Sequence, residues 1–169
     1  AGNSHNKTII RNPPVKNLLT LVASALLLAG CAMFPRDDAS ITTNHAYASQ
    51  MAQAITEYRA QHGLSPVKVD RPLMQAADEQ ARAIAARDHL DHHAAGQFGN
   101  RMTRNGINGA AAENLQAGAQ TPERVLERWK ASAYHDENLR MPEARRIGFV
   151  EARAPGTRYG KFWVLVLAD

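Results

Sequence analysis

The densest group of side chains that could do chemistry in this chain is the stretch "HLDHH" at 89–93. It holds three of the seven histidines in the 169-residue sequence, together with one aspartate. Neutral imidazole nitrogens bind Zn²⁺, and imidazoles that titrate near neutral pH transfer protons. The stretch can therefore be a metal site or a catalytic site. It can equally be the polar end of a helix, where histidine interacts favourably with the negative end of the dipole.

The element that must position this stretch is the segment before it. A helix is predicted from near Asp70, with Pro72 in its first turn, and its alanine-rich sequence favours the helical state. We expect this helix to run straight into 89–93. On a continuous helix His92 and His93 point about 100° apart, so only one of them can face a site. His93 is then expected to face solvent, and His89 and His93 are interpreted as helix-end residues.

Three further helical segments are predicted. The first has an apolar face, with Asn44 as its N-cap and Gly63 as its left-handed end. Its apolar positions are Tyr47, Met51, Ala54, Ile55 and Tyr58. A short helix is expected around 98–104. A third begins at Thr121, which can cap it, with Pro122 at the first position.

The last part of the chain changes to the period of a strand. Two strands are predicted over 145–153 and 161–168, joined by a turn that contains Pro155 and Gly156, and 110–118 can be strand or loop. Phe162, Val164 and Val166 alternate with Trp163, Leu165 and Leu167. A strand that is apolar on both faces must be covered on both faces. The economical architecture is α+β, with a small antiparallel sheet between helical layers.

The N-terminal segment reads as an export signal. Residues 1–30 contain Lys7, Arg11 and Lys16 and no acidic residue, and then an apolar run of eleven residues, Leu18–Leu28. That run is too short to span a bilayer, which takes about 20 residues. It has the length of the hydrophobic region of a signal peptide. We therefore interpret residues 1–30 as a signal peptide.

The only cysteine, Cys31, ends the sequence "LAGC", which resembles the lipobox of bacterial lipoproteins. The resemblance implies that Cys31 is lipidated and becomes the new N-terminus, with residues 31–43 as a tether. The alternative is a buried cysteine in an ordinary helix. Lipidation predicts an exported protein anchored to an envelope membrane. Ala32 after the cysteine favours the periplasmic face of the outer membrane if the organism is Gram-negative.

The charge of the chain argues against nucleic acid as a partner. The net charge is +4, and all three charged residues of 1–30 are basic. Without them, 17 basic residues face 16 acidic ones, so the remainder is near neutral. It has no basic stripe with interleaved aromatic residues.

Four motifs in order resemble one family. They are "YRAQHGLSP" followed by the helix into "HLDHH", then "AAENLQAG", "TPERVLERWKASAYHDENL" and "RRIGF" with an aromatic strand after it. Together they are similar to bacterial domains of the CAP superfamily, also called SCP-like (cysteine-rich secretory proteins, antigen 5 and pathogenesis-related proteins). The resemblance covers 44–169. It implies a sandwich of α, β and α layers with a cleft where two histidines meet one or two glutamates.

Carried onto this chain, the resemblance places His92, Glu113 and His135 in the cleft. The second acid of animal members falls at Ser132, so the set of four is incomplete. Two imidazoles with a carboxylate can hold Zn²⁺ with open positions. Without a metal, we expect Glu113 to raise the pKa of both histidines.

Three functions follow. The first is a non-enzymatic binding module for a small amphipathic ligand or an envelope component, because the family includes sterol- and lipid-binding members. The second is a metal-dependent hydrolase, for which Ser132 could be imagined as a nucleophile, although we find no orienting acid for a triad. The third is a structural envelope protein. We favour the first, and the sequence leaves enzymatic activity and oligomeric state open.

Overall fold

The structure, a computed structural model, describes residues 40–169 as five helices and a five-stranded sheet. The helices are α1 (Ala48–Gln61), α2 (Arg71–Arg87), α3 (Phe98–Arg104), α4 (Pro122–Lys130) and α5 (Ala133–Leu139). The strands are β1 (Thr42–Asn44), β2 (Lys68–Val69), β3 (Ala111–Ala117), β4 (Arg146–Arg153) and β5 (Lys161–Ala168). The predicted signal peptide, Cys31 and most of the tether lie outside these residues. No helix within 40–169 is long and apolar enough to cross a membrane.

The sheet is built on the hairpin of β4 and β5. The strand order is β1-β4-β5-β3, with antiparallel pairing throughout this path, and the short β2 pairs in parallel with β4. β1 enters beside the end of β4, where Thr42 pairs with Arg153. Glu113 of β3 pairs with Val166, near the other end of β5. β3 is thus an edge strand that carries a candidate site residue.

The central strand β5 is covered on both faces, as its sequence predicted. Phe162, Val164 and Val166 pack with the apolar face of α2. Trp163, Leu165 and Leu167 pack with residues of α1, α4 and α5. All six side chains are fully buried. The helices therefore form two layers around the sheet, which confirms the α+β sandwich.

Helix α2 lies directly on the sheet because β4 has no side chain where the two cross. A methyl group added at Gly148 would overlap the carbonyl carbon and oxygen of Leu73 and would lie 2.5 Å from the Met74 nitrogen. The helix starts beside Asp70 as predicted, and the Asp70 carboxylate caps it by accepting a hydrogen bond from the Leu73 amide at 3.2 Å. The position of α2 is therefore set by its capped start and by this close backbone contact.

Two predicted helix boundaries are wrong. α2 ends at Arg87, where Asp88 adopts a left-handed conformation with a φ of 51°. The segment 89–93 is therefore a turn and not a helix end. Asn44 does not cap α1, because it lies in β1 and its side chain accepts a hydrogen bond from the Ala46 amide and donates one to Glu151.

The sheet also includes residues that the sequence had assigned to the tether. β1 begins at Thr42, and the preceding Ile41 is buried in the core beneath α2. Helix α5, over Ala133–Leu139, was not predicted as a separate element. Helix α5 matters for the site because it carries His135. Strand β1 determines where the chain enters the sheet.

A buried arginine joins α1 to the segment after α5. Arg59 is fully buried, and within residues 40–169 the hydrogen bonds of its guanidinium go only to main-chain carbonyl oxygens. The acceptors are the carbonyls of Ser65, Leu139, Met141 and Ala144, at 2.8–3.0 Å. Within residues 40–169, none of the side-chain hydrogen bonds of Arg59 reaches His92 or His135, which makes it a useful reference for another buried arginine.

Candidate functional site

Glu113 of β3 and His92 of the turn after α2 form the centre of the candidate site. The Oε1 of Glu113 lies 2.9 Å from the Nδ1 of His92. The carboxylate is almost fully buried, with 2% of the side chain exposed, whereas the His92 side chain is 54% exposed. The imidazole therefore covers the carboxylate and presents its other edge to solvent.

The second carboxylate oxygen of Glu113 binds Arg101, a residue that no pattern in the sequence marks as part of a site. Arg101 lies in α3, and its Nη2 donates to Oε2 of Glu113. Its side chain is completely buried. The sequence does not distinguish Arg101 from Arg104, three residues later. Arg104 forms an exposed ion pair with Glu79. Both oxygens of Glu113 are thus occupied by side chains of this chain.

His135, in the first turn of α5, is held by contacts with Ser132, Trp129 and Asn114. Its Nδ1 lies 3.0 Å from the hydroxyl oxygen of Ser132, and its ring centroid lies 6.5 Å from that of Trp129. Its main-chain carbonyl accepts a hydrogen bond from Asn114 at 3.0 Å. Asn138 donates to the Asn114 side chain at 2.8 Å and to the Glu113 carbonyl at 3.3 Å. Two asparagines therefore tie α5 to the strand that carries Glu113.

The other two histidines of "HLDHH" do not join this arrangement in the contacts described for residues 40–169. His89 and His93 are both exposed. Asp91 accepts hydrogen bonds from the His93 amide and from Arg87, so it organises the turn. The assignment of His92 to the site stays a prediction, and the continuous helix that separated it from His93 was wrong, because α2 ends at Arg87.

The two site histidines have opposite pKa shifts. The hydrogen bond to Glu113 raises the pKa of His92. Burial lowers the pKa of His135, and the charge on His92 lowers it further. The expectation that Glu113 raises the pKa of both histidines was therefore wrong, because the carboxylate contacts only one ring. At neutral pH the site combines a more basic imidazole with a less basic one.

In an NMR titration of the ring protons, we expect His92 to titrate above 6.5 and His135 below it. The His92 contribution to stability is present below pH 6.5 and is lost as the pH rises through its raised pKa. His135 has the opposite sign, because protonating it as the pH falls below 6.5 disfavours the folded state. In His92→Ala, the pKa of His135 should move towards 6.5. Two rings that titrate on the same side of 6.5 would contradict this assignment.

The site residues fit a metal ion only in part. Within residues 40–169, no group of three or more His, Cys, Asp or Glu side chains is placed to hold a metal. Glu113 is engaged by Arg101 and His92, so it is placed to orient an imidazole and not to ligate directly. Each of the two imidazoles uses Nδ1 for a local hydrogen bond, which leaves Nε2 as its ligand atom. A metal-binding histidine usually donates the hydrogen of its other ring nitrogen to a carboxylate, a carbonyl or a water molecule.

The fold and these residues agree with the comparison to known families. The sequence model of the cysteine-rich secretory protein family, CAP, matches residues 52–167. The chain belongs to the CAP family. The matched segment carries every candidate site residue of this CAP domain, from His92 to His135.

Proteins similar to this CAP domain in sequence or in fold include proteins from three bacteria. The Bacillus subtilis (strain 168) protein YkwD is 28% identical over 106 residues, which are 61% of this chain and 41% of YkwD. The chain thus spans about two fifths of that relative. An extracellular SCP-domain protein of Bacillus anthracis str. Ames has a TM-score of 0.64 at 20% identity, covering 73% of this chain and 40% of that one. An outer surface protein of Borrelia burgdorferi has a TM-score of 0.63 at 18% identity, covering 81% and 96%.

Two concavities are relevant to a ligand of the CAP domain. One, of about 400 Å³, lies beside the start of β3 and is lined in part by Asn138, which binds the Glu113 carbonyl. The other, of about 200 Å³, is an apolar groove between α1 and α4. Met51, Ala54 and Leu126 line it, with Lys130 and Glu127 at its polar positions. The groove shares none of its lining residues with the histidine site.

Proposed function

We propose that this CAP domain is a non-enzymatic binding module of the cell envelope, in which His92 and His135 together bind a divalent metal ion such as Zn²⁺. The observation that carries the proposal is the hydrogen bonding of the two rings. Glu113 holds Nδ1 of His92 and Ser132 holds Nδ1 of His135, so each ring keeps Nε2 for a ligand. With two protein ligands, positions on the ion stay open for an envelope component or a small ligand.

A hydrolase that uses the same residues has weaker support. Ser132 and His135 are within hydrogen-bonding distance, but they are three residues apart in one turn, which brings them together in any helix start. A triad also needs an acid that orients the imidazole. Within residues 40–169, the hydrogen bonds described for the His135 ring include no carboxylate. Ser132 is therefore assigned to hold His135 and not to act as a nucleophile.

The apolar groove between α1 and α4 supports an amphipathic ligand as one class of partner. Apolar atoms form most of its surface, and its charged residues, such as Glu127 and Lys130, are available to bind a polar head group. Burying an alkyl chain there gains about 0.8 kcal/mol per methylene. The proposal places the apolar part of such a ligand in this groove and leaves the histidines to metal or polar groups.

Export and lipid anchoring belong to the same proposal. They rest on the apolar run before Cys31 and its lipobox-like sequence, and the extracellular and outer-surface relatives support export. Cells grown with an alkyne-labelled palmitate should label the wild type and not Cys31→Ser. Equal labelling of both proteins would remove the anchor from the proposal.

Calorimetric titration with Zn²⁺ tests the metal site. We expect the full chain in detergent micelles to bind one ion with a Kd on the order of micromolar, because each imidazole keeps Nε2 for a ligand. His92→Ala and His135→Ala should each abolish this binding. His89→Ala and His93→Ala are the matched controls, since they remove exposed histidines of the same segment, and they should bind as the wild type does.

Binding that survives both His92→Ala and His135→Ala would refute the metal site. A fluorescent fatty acid, titrated with and without Zn²⁺, then tests the groove separately. Fatty-acid binding that is unchanged in His92→Ala would agree with a ligand in the groove. Fatty-acid binding lost in that variant would contradict the separation of the two sites.

A further inference from the structure

Arg101 is the most deeply placed charged group near the candidate site, and it contacts the site at several atoms. Its Nη2 binds the buried carboxylate of Glu113. Its Nη1 donates to the Gln80 side chain at 2.9 Å and lies 3.4 Å from the main-chain oxygens of His92 and Gly96. One planar guanidinium therefore reaches both the backbone of His92 and the acid that holds the His92 ring.

The turn that carries His92 depends on such contacts because it has no regular secondary structure. Gln80 of α2 donates to the Asp91 carbonyl at 2.7 Å and accepts from the Ala95 amide at 3.0 Å. The same Gln80 oxygen receives Arg101. Gln80 and Arg101 are thus hydrogen-bonded to each other, and Gln80 holds the backbone of the turn both before and after His92.

The guanidinium of Arg101 also determines which oxygen of Glu113 accepts a hydrogen bond from His92. A carboxylate has two oxygens that accept hydrogen bonds, and in this site each is directed to a different partner. Since Oε2 is held by Arg101, Oε1 is left facing Nδ1 of His92. An arginine offers parallel donors in a fixed plane, so it constrains the carboxylate more tightly than lysine could.

We propose that Arg101 is a positioning residue of the histidine site: it fixes Glu113 as the acceptor for Nδ1 of His92 and thereby reserves Nε2 of His92 for the ligand. This inference rests on the proposed function for the identity of the ligand, but the orientation of the ring can be measured without one. It also assigns Glu113 to orienting His92, in place of the direct ligand role that the family resemblance implied.

The first test needs no substitution. Long-range ¹⁵N correlation spectra of the metal-free wild type report which ring nitrogen carries the proton. At a pH where His92 is neutral, we expect the tautomer protonated at Nδ1, because that nitrogen must donate to the carboxylate. A His92 ring protonated mainly at Nε2 would overturn the proposal, whatever the outcome of the Zn²⁺ titration.

The second test compares two buried arginines. Arg101→Met and Arg59→Met each remove a fully buried guanidinium, so both are expected to lower the melting temperature. Only Arg101→Met should change the His92 tautomer. It should also weaken Zn²⁺ binding, by up to about the 10- to 100-fold loss that follows when a ligating histidine loses the hydrogen-bond partner of its ring. Arg101→Lys, which keeps the charge and loses the fork, is measured beside them in case Arg101→Met does not fold.

The outcomes separate the two proposals. If Arg101→Met or Arg101→Lys changes the tautomer while Arg59→Met leaves it as in the wild type, Arg101 positions His92 even if no metal binds. If the Arg101 variants keep the wild-type tautomer and Zn²⁺ affinity, Arg101 serves only the stability of the fold and the inference is wrong. A wild type that binds no Zn²⁺ but shows the expected tautomer refutes the proposed function alone.

Discussion

Replacing Glu113 with leucine is expected to lower the free energy of unfolding by about 3–5 kcal/mol, measured by urea denaturation at pH 7. The substitution leaves the guanidinium of Arg101 buried with no carboxylate, and breaking one side of a buried pair costs about that much. Arg101 has no exposed surface and Glu113 has 2%, so water cannot take over the lost contact without a change in structure.

The double variant Glu113→Leu with Arg101→Met shows whether the uncompensated charge is the cause. It removes both charges and replaces them with apolar side chains of similar volume, so most of the lost stability should return. Glu79→Ala is the surface control, since it breaks an exposed ion pair with Arg104 and should change stability by no more than about 1 kcal/mol. A double variant as unstable as Glu113→Leu would show that the loss comes from packing and not from the charge.

Gly148→Ala is expected to destabilise the domain severely, by about 3 kcal/mol or more. The added methyl group would overlap the backbone of Leu73, at the start of α2, and a backbone segment cannot move aside as a side chain can. Forcing extra volume into a packed core costs about 1–3 kcal/mol and occasionally more. Thermal unfolding followed by circular dichroism measures the loss, which should appear as a large fall in melting temperature.

Gly99→Ala is the matched control for this substitution. Gly99 lies in α3, and a methyl group added there meets no atom within 4 Å. Because alanine is the better helix former, this variant should keep or raise the stability, by up to about 1 kcal/mol. If Gly148→Ala melts within a few degrees of the wild type, the close approach of α2 to β4 is not as tight as described.

The sequence was sufficient for elements whose signals are local. The helix start at Asp70 combines a capping side chain with a proline in the first turn, and both features act within four residues. The two apolar faces of β5 predicted a sheet covered on both sides, and the packing of Phe162 and Trp163 into different cores confirms it. Such signals need no knowledge of the rest of the chain.

Features set by distant contacts could not be read in this way. The end of α2 depends on Asp88 adopting a left-handed conformation that glycine usually adopts, and the carboxylate of Asp88 is bound by the Arg158 amide, 70 residues away. Strands of two and three residues, such as β2 and β1, carry too short a pattern to detect. Arg101 looked like any surface arginine because its role depends on Glu113, which only the folded sheet brings to it.

The pairing of β1 determines at which end of the sheet a surface or label coupled to the N-terminal side of the domain will lie. The chain enters the sheet at Thr42, which pairs with Arg153, and Arg153 in turn pairs with Lys161, the first residue of β5. Glu113 pairs with Val166, which lies five residues further along β5. At the rise of a strand this is about 16 Å. The last residue, Asp169, lies at the Glu113 end, where its amide binds the Ala110 carbonyl. A surface, bead or fluorophore coupled at Ser40 would therefore lie at the opposite end of the sheet from Glu113, whereas a group coupled to Asp169 would lie at the Glu113 end.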